Sequence, residues 1–261
     1  MTHPTTIWLD SVDSTNAHAL TNFDSLPDAS LVAARTQTAG RGRRGRRWLS
    51  PQGGLYATFL AKNARLNPLH AQAAAALATL DTIIEAAPAK NWKLKWPNDV
   101  CLFLDSAILK VAGILSEVHT PTASNTPDGV AVGIGVNLNA SSAELARLEK
   151  PATSMAIETG ESFDTALFAE KLLPRIRRRV AESTLHPDRI IGEWKKKDGL
   201  LGRQITAEIE DGPILAGTAL DIARDGALIL KLEDGTLKQL TSGDVSIAKI
   251  AEHNQTKTRD R

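Results

Sequence analysis

The stretch TAGRGRRGRRWLSPQGGLY, Thr38 to Tyr56, sets five arginines into the seven residues from Arg41 to Arg47, spaces them with Gly40, Gly42 and Gly45, and holds no acid to balance them. Gly40 to Gly45 spells G-x-G-x-x-G, the phosphate turn of a dinucleotide fold, which requires a strand before it and a helix after it. LVAARTQ, residues 31–37, reads as the strand. The helix cannot follow, because Pro51, Gly53 and Gly54 break it, and the ribose-binding acid due about 20 residues on is missing. A kinase glycine loop fails as well, since no V-A-I-K strand comes next. Two readings remain: a solvated basic loop, and a loop shaped to hold a small polyanion. The flanking Trp48 and Tyr56 and the strand-like LYATFLA favour a loop anchored to a core. Glycines let a backbone approach a ligand closely, and arginines supply forked donors suited to carboxylate and phosphate. Five like charges with no acid nearby are expected to stay mobile until an anion relieves their repulsion.

The chain has 261 residues, 42% apolar and 23% charged, ordinary values for a folded protein with room for a large and a small core. A net charge of +1 argues against a general nucleic-acid binder, yet no Asp or Glu lies between Ala29 and Leu80. Cys101 is the single cysteine and excludes internal disulfides. The first residues have neither the basic nor the apolar region of a leader, and the longest apolar run, Val100 to Leu115, is cut by Asp105 and Lys110 and is too short for a membrane span. A cytoplasmic protein is expected.

Beyond the loop, NPLHAQAAAALATLDTIIEAA reads as a core helix with Asn67 as N-cap, Pro68 first, and Leu69, Ala73, Leu77, Leu80 and Ile84 along one face. NWKLKWPNDVCLFLD reads as a strand into a Pro-Asn-Asp turn. AILKVAGILSEVHT and GVAVGIGVNLN read as buried strands, the first entered by a tight turn near Asp105 and Ser106. DTALFAEKLLPRIRRRVAEST is helical in pattern, with a break or kink expected at Pro174 and a solvated basic face at RIRRR.

From Gly199 the chain alternates short β runs with the turn signals EDG, RDG, EDG and SGD, which suits a five-stranded small barrel or SH3-like sheet. Its five positive charges against eight negative from Leu200 to Ala251 have the wrong sign for nucleic acid. EHNQTKTRDR, residues 252–261, reads as disordered. The six histidines are scattered without metal-ligand spacing, no G-x-S-x-G elbow is present, and Cys101 reads as a core residue.

Five segments remain: DSTN (residues 13–16), TQTAGRGRRGRRWLSPQGGLY (residues 36–56), KWPND (residues 95–99), KVAGILSE (residues 110–117) and GIGVN (residues 133–137). In this order they resemble the motifs of the biotin protein ligases, and the resemblance covers nearly the whole chain. It implies an α+β fold: a mixed-sheet catalytic domain of the class II synthetase-like, biotin–lipoate ligase type over residues 1–198, and an SH3-like β-barrel domain over 199–250, with 251–261 as tail. It implies ATP-dependent biotinylation of one lysine on a biotin carboxyl carrier domain, as in acetyl-CoA carboxylase, through biotinyl-5'-AMP, with ATP and Mg²⁺ as co-substrate and its metal. Some members add an N-terminal helix-turn-helix. With the first motif at Asp13 a monofunctional type is expected, without specific DNA binding or membrane contact, as a monomer or weak homodimer.

By the same resemblance Ser14, Thr15, Asn16 and Gln37 bind the biotin head group. Gly40, Arg41, Gly42 and Arg43 close over biotin and the acyl-phosphate, Arg44 and Arg46 reach the nucleotide phosphates, and Trp48 packs on adenine. Lys110 is the central lysine between the biotin carboxylate and the α-phosphate, and with Arg43 forms the catalytic pair. Gly113 allows close backbone approach, Asn98 and Asp99 line the phosphate side with Asp99 a Mg²⁺ ligand, and Asn137 contacts the nucleotide. The stretch VCLFLDSAIL before Lys110 is longer and more apolar than the family's short polar hairpin. Lipoate ligases share the fold and the acyl-to-lysine chemistry but carry an R-R-x-x-G-G-G type motif that this sequence lacks. A non-catalytic nucleic-acid-binding module built on the arginine loop is the other alternative.

Overall fold

The computed structural model describes residues 5–105, 107–209, 212–241 and 243–247. A mixed seven-stranded sheet is built from β1 (Thr6–Val12), β2 (Leu31–Gln37), β3 (Leu55–Ala61), β4 (Trp92–Lys95), β5 (Asp99–Phe103), β6 (Ile108–His119) and β7 (Gly129–Val136). Its order is β1-β2-β3-β7-β6-β5-β4, with β1 and β2 parallel and the other neighbours antiparallel. LYATFLA forms β3, buried at all seven positions in mid-sheet, as an unbroken apolar run should be when both faces are covered.

Helix α1 (Thr15–Thr21) covers one face with a small cluster around Phe23, Val32 and Leu60. On the other face lies α2 (Pro68–Ala86), whose start follows the sequence signals: Asn67 Oδ1 accepts from the Leu69 and His70 amides at 2.8 and 3.3 Å, with Pro68 in the first turn. Buried alanines from Ala71 to Ala78 let this helix lie close to the sheet. Leu69, expected in the core stripe, is instead 44% exposed, because the first turn overhangs the sheet, where His70 Nε2 meets the Arg224 carbonyl at 2.9 Å. At the other end Ile83, rather than Ile84, is fully buried.

After the short helices α3 (Ser142–Leu145) and α4 (Met155–Thr159) come α5 (Thr165–Leu185) and α6 (Pro187–Lys197), which pack against α2. Pro174 does not end α5. The helix continues through it, held by the buried Leu172, Leu173, Ile176 and Val180, with Pro174 itself on the exposed side. The RIRRR segment also departs from expectation. Arg177 and Arg178 are solvated, but Arg179 is buried, its Nη2 2.5 Å from Asp81 Oδ2 and its Nη1 2.7 Å from Glu193 Oε2. Arg175 pairs with Glu85, and Lys197 also reaches Asp81. Helix α5 lies against both α2 and α6, so part of its polar face meets acids on neighbouring helices instead of water.

The second sheet holds β8 (Gln204–Glu208), β9 (Ile214–Ile222), β10 (Leu228–Leu232), β11 (Leu237–Leu240) and β12 (Asp244–Ile247), all antiparallel in the order β11-β10-β9-β8-β12. These are the five short strands that the turn signals call for. Asp198, at the end of α6, fastens the two sheets. Its carboxylate accepts from the Leu200 and Leu201 amides at 2.7 and 3.1 Å, from the Trp96 amide at 3.1 Å and from Trp194 Nε1 at 3.2 Å. Burial still raises it above the ordinary carboxylate range. One continuous apolar core runs under both sheets. The turn residue Ser106, positions 248–250 and the tail 251–261 lie outside the described residues.

Candidate active site

The arginine loop folds back on itself between β2 and β3. The Trp48 amide donates to the Gly40 carbonyl at 2.9 Å, and the Gly42 amide to the Arg46 carbonyl at 2.7 Å, around a tight 3-10 turn at Arg43–Gly45. Arg44 and Gly45 take left-handed backbone, with φ of 56° and 67°; for Arg44 this costs about 1 kcal/mol. A Cβ at Gly40 would come within 2.6 Å of the Trp48 carbonyl and 2.9 Å of Gln37 Nε2, so only glycine fits there.

The expectation that only an outside anion balances these arginines is corrected by β12. Asp244 Oδ1 lies 2.8 Å from Arg46 Nη2, while its Oδ2 is 3.8 Å from Arg44 Nη1 and 2.9 Å from Lys150 Nζ. Burial alone would raise this carboxyl; hydrogen bonds from Lys150 and Arg46 outweigh it and hold Asp244 at about 2. No scan of the neighbouring sequence could have found this acid, which lies 198 positions from Arg46.

Under the loop is a cavity of about 40 Å³, lined by Ser14, Thr15, Asn16, Gln37, Arg41, Trp48, Tyr56, Gly113, Leu115 and Gly133 to Gly135. Its floor is backbone. Register pairs Gly113 with Gly135 and Leu115 with Gly133, and the alternation of a strand puts Gly133 and Gly135 on the same face. A Cβ at Gly135 would lie 2.5 Å from the Trp48 ring, and one at Gly113 2.9 Å from both Trp48 and Lys110 Nζ. The indole therefore rests against these two glycines. Its N–H is buried without a hydrogen-bond partner among the described residues. On the polar wall Gln37 is fixed from both sides: its Oε1 accepts from the Thr15 amide at 2.8 Å and its Nε2 donates to Ser50 Oγ at 2.9 Å.

Lys110 sits on β6 where the register against β5 shifts: Val100 pairs with Ala112, but Cys101 with Lys110. The long apolar stretch before it is absorbed by a hairpin that extends to Phe103 and Ile108, and such a bulge re-aims a side chain. Lys110 Nζ lies 2.6 Å from Asp99 Oδ1 in an ion pair and 5.1 Å from the centre of the Trp48 ring. Its backbone is gripped by residues 151–153, the amide donating to the Pro151 carbonyl at 3.1 Å and the carbonyl accepting from the Thr153 amide at 2.9 Å. Arg43 Nη1 donates to Asn98 Oδ1 at 3.3 Å. Burial pulls this guanidinium below its ordinary value, with Asp99 opposing the shift.

Most of the residues singled out in the sequence thus converge on one place. Arg44 and Arg46 stand on the rim facing β12, and Asn137 does not line the cavity; its Nδ2 donates to the Thr153 carbonyl at 3.1 Å and so holds the strip beside Lys110. Thr58, Glu117, Lys150 and Asp244 were missed. For Glu117 the signal was there, at the end of KVAGILSE. Among the described residues no three His, Cys, Asp or Glu form a metal cluster, and no helix is long and apolar enough to cross a membrane.

Residues 8–137 match the model of the biotin/lipoate A/B protein ligase family, and residues 200–247 that of the biotin protein ligase C-terminal domain. The chain is 37% identical to the biotin--[acetyl-CoA-carboxylase] ligase of Paracoccus denitrificans over 85% of its own length and 92% of the relative's. It is 30% identical to the ligase of the same name from Mycobacterium tuberculosis, over 89% and 85% of the two chains. The structure resembles the biotin protein ligase of Aquifex aeolicus in complex with biotin and ATP, with a TM-score of 0.78 and 28% identity over 95% of this chain and 100% of that one. With four of the five motifs lining one cavity, KWPND joined to them through Asn98 and Asp99, and both parts of the chain matched, the protein belongs to the biotin protein ligase family and is a ligase.

Proposed function

We propose that this protein joins biotin to AMP and passes the biotinyl group to one lysine of a biotin carboxyl carrier domain, that of acetyl-CoA carboxylase or a related carboxylase. The carrying observation is that a glycine floor and a hydrogen-bonding wall of Ser14, Thr15 and Gln37 form one cavity beneath an arginine loop, with Lys110 beside its lining residues Gly113 and Trp48. A carboxylate acylates an amine at neutral pH only with a better leaving group. In the first step a biotin carboxylate oxygen attacks the α-phosphorus of ATP and pyrophosphate leaves; in the second the carrier amine attacks the biotinyl carbonyl, AMP leaves and the amine loses its proton. Both steps crowd anions together, and fixed cations stabilise that charge best where water is excluded.

Lys110 serves here between carboxylate and α-phosphate, Arg43 beside it, with Arg41, Gly42 and Gly40 closing over biotin and Gly113 admitting the acyl-phosphate. Arg44, Arg46 and Asn98 serve the nucleotide, Trp48 its base, and Asn137 acts through the strip beside Lys110. Asn16 lines the cavity beside Ser14 and Thr15, held by Glu117 and Thr58. Mg²⁺ fits as the metal of the nucleotide: it takes one or two protein carboxylates together with phosphate oxygens, and Asp99 offers a single carboxylate, which neutralises Lys110 until phosphates replace it. In this reading residues 1–198 form the catalytic domain and 199–250 a second domain that supplies Asp244. The protein works in the cytoplasm as a monomer or weak dimer and has no specific DNA target, since the C-terminal strands carry excess acid.

Biotin-dependent exchange of labelled pyrophosphate into ATP, run beside lipoate, tests the reading. Exchange with biotin alone is the expected result, while exchange with lipoate instead, or with neither, overturns it.

A further inference from the structure

Glu117 closes the KVAGILSE segment and reaches the pocket only through Asn16. It stands on β6 opposite Ala131, half-buried beside Asn16. Asn16 Nδ2 donates to Glu117 Oε2 at 2.6 Å and to the Leu115 carbonyl at 3.2 Å. On its other side Asn16 Oδ1 accepts from Thr58 Oγ1 at 2.6 Å, and Thr58 Oγ1 lies 2.9 Å from Thr15 Oγ1. From Thr15 the contacts run to Gln37 and Ser50. Asn16, Thr58 and Thr15 are all buried, and a Cβ at Gly133 would come within 2.3 Å of Asn16 Oδ1. The amide therefore has no room to move, only to flip.

We propose that Glu117 is a positioning residue that sets the hydrogen-bond polarity of the biotin pocket through Asn16 and Thr58; this rests on the biotin reading above. A carboxylate only accepts, so the face of Asn16 toward Glu117 must be its NH₂ and the face toward Thr58 its carbonyl oxygen. The single Thr58 proton is thereby committed to Asn16. Thr58 can then only accept from Thr15, so the Thr15 hydroxyl directs its proton inward, to Thr58 or Gln37. Its lone pairs face the cavity. The wall thus offers an acceptor there, suited to an N–H of the ureido ring and not to its carbonyl oxygen. Without an acceptor at position 117 only the longer contact to the Leu115 carbonyl still favours this orientation, so the amide turns over more readily, Thr58 is released, and the Thr15 proton can face the ligand, where it opposes an incoming N–H.

Biotin affinity of the whole protein, measured by calorimetry, tests this with three variants and one combination of them. Glu117→Leu removes the acceptor and should weaken biotin about tenfold or more, while the KM for ATP stays within about twofold. Glu117→Gln can present its amide oxygen to Asn16 and should retain affinity to within about threefold. Asn16→Asp sets two carboxylates against each other and should weaken biotin strongly. Adding Glu117→Gln to it lets the amide introduced at position 117 donate, while the carboxylate introduced at position 16 still accepts from Thr58, so the double variant should recover most of the loss. Wild-type protein that does not bind biotin overturns the functional reading itself. Wild-type binding with Glu117→Leu unchanged, equal rises in biotin Kd and ATP KM, or no recovery in a double variant that melts like wild type, overturns the role of Glu117 alone.

Discussion

Lys110 and Asp99 face each other across the β5–β6 hairpin, with 2.6 Å between Nζ and Oδ1. The ammonium has a counter-charge while no anion is bound, and the bulge at Val111 fixes its place beside Gly113. Lys110→Ala should slow single-turnover biotinyl-AMP formation by roughly 10² to 10³, about 3 to 4 kcal/mol of transition-state stabilisation, with little change in folding. Lys110→Arg should not restore the rate, since a planar guanidinium cannot replace a compact ammonium at that point. Near-normal rates for both would remove Lys110 from the chemistry.

Asp244 ties the arginine loop to β12. Asp244→Asn should make trypsin cut faster between Arg41 and Arg47 at neutral pH, and unchanged cutting would show that the ion pairs do not hold the loop. The pH dependence follows from the depressed carboxyl. The group binds a proton near pH 4 when unfolded but only at about 2 when folded. Its stabilising contribution is complete above the unfolded value and is lost as pH falls through the folded one, so in mild salt the loop should stay protected at pH 5 and open toward pH 2.

Arg179 bridges Asp81 on α2 and Glu193 on α6. Arg179→Ala leaves two partly buried acids without it and should cost about 3 kcal/mol in urea unfolding, while adenylate formation by the folded protein stays within about twofold. Asp81 sits below the ordinary carboxylate range because hydrogen bonds from Lys197 and Arg179 outweigh its burial. This part of the stability is present above about pH 4 and declines in acid. A variant as stable as wild type would show that Lys197 alone satisfies Asp81.

Cys101 lies in β5, fully enclosed, and burial pushes its thiol well above the ordinary value. Ellman's reagent should not react with the native protein and should titrate one thiol in denaturant. Rapid native reaction would mean that the β5–β6 hairpin opens readily.

Whatever depends on neighbours along the chain was legible in the sequence. Asn67 and Pro68 start α2, Pro51 with Gly53 and Gly54 forbids a helix after the arginine loop, and the glycines of KVAGILSE and GIGVN mark where backbone forms the floor. Contacts that close over long distances in sequence were not. Asp244 reaches Arg46, Asp81 reaches Arg179, and Glu117 reaches Asn16 only because strand order and helix packing bring them together. A charge run in RIRRR looks solvated until one knows which helices flank it. Leu69 carries the core period yet overhangs the sheet, since periodicity gives a face and not where the partner beneath it stops.

Trp48 resting on Gly113 and Gly135 leaves about 40 Å³ beneath the loop, whereas pockets for small ligands run to several hundred. The indole therefore fills the space above the glycine floor, and a guest larger than this cavity needs the ring to give way. The measured dissociation constant is then the intrinsic one divided by the fraction of molecules with the ring displaced. Any substitution that loosens Trp48 tightens apparent binding without adding a contact, and the association rate reports how often the ring swings clear.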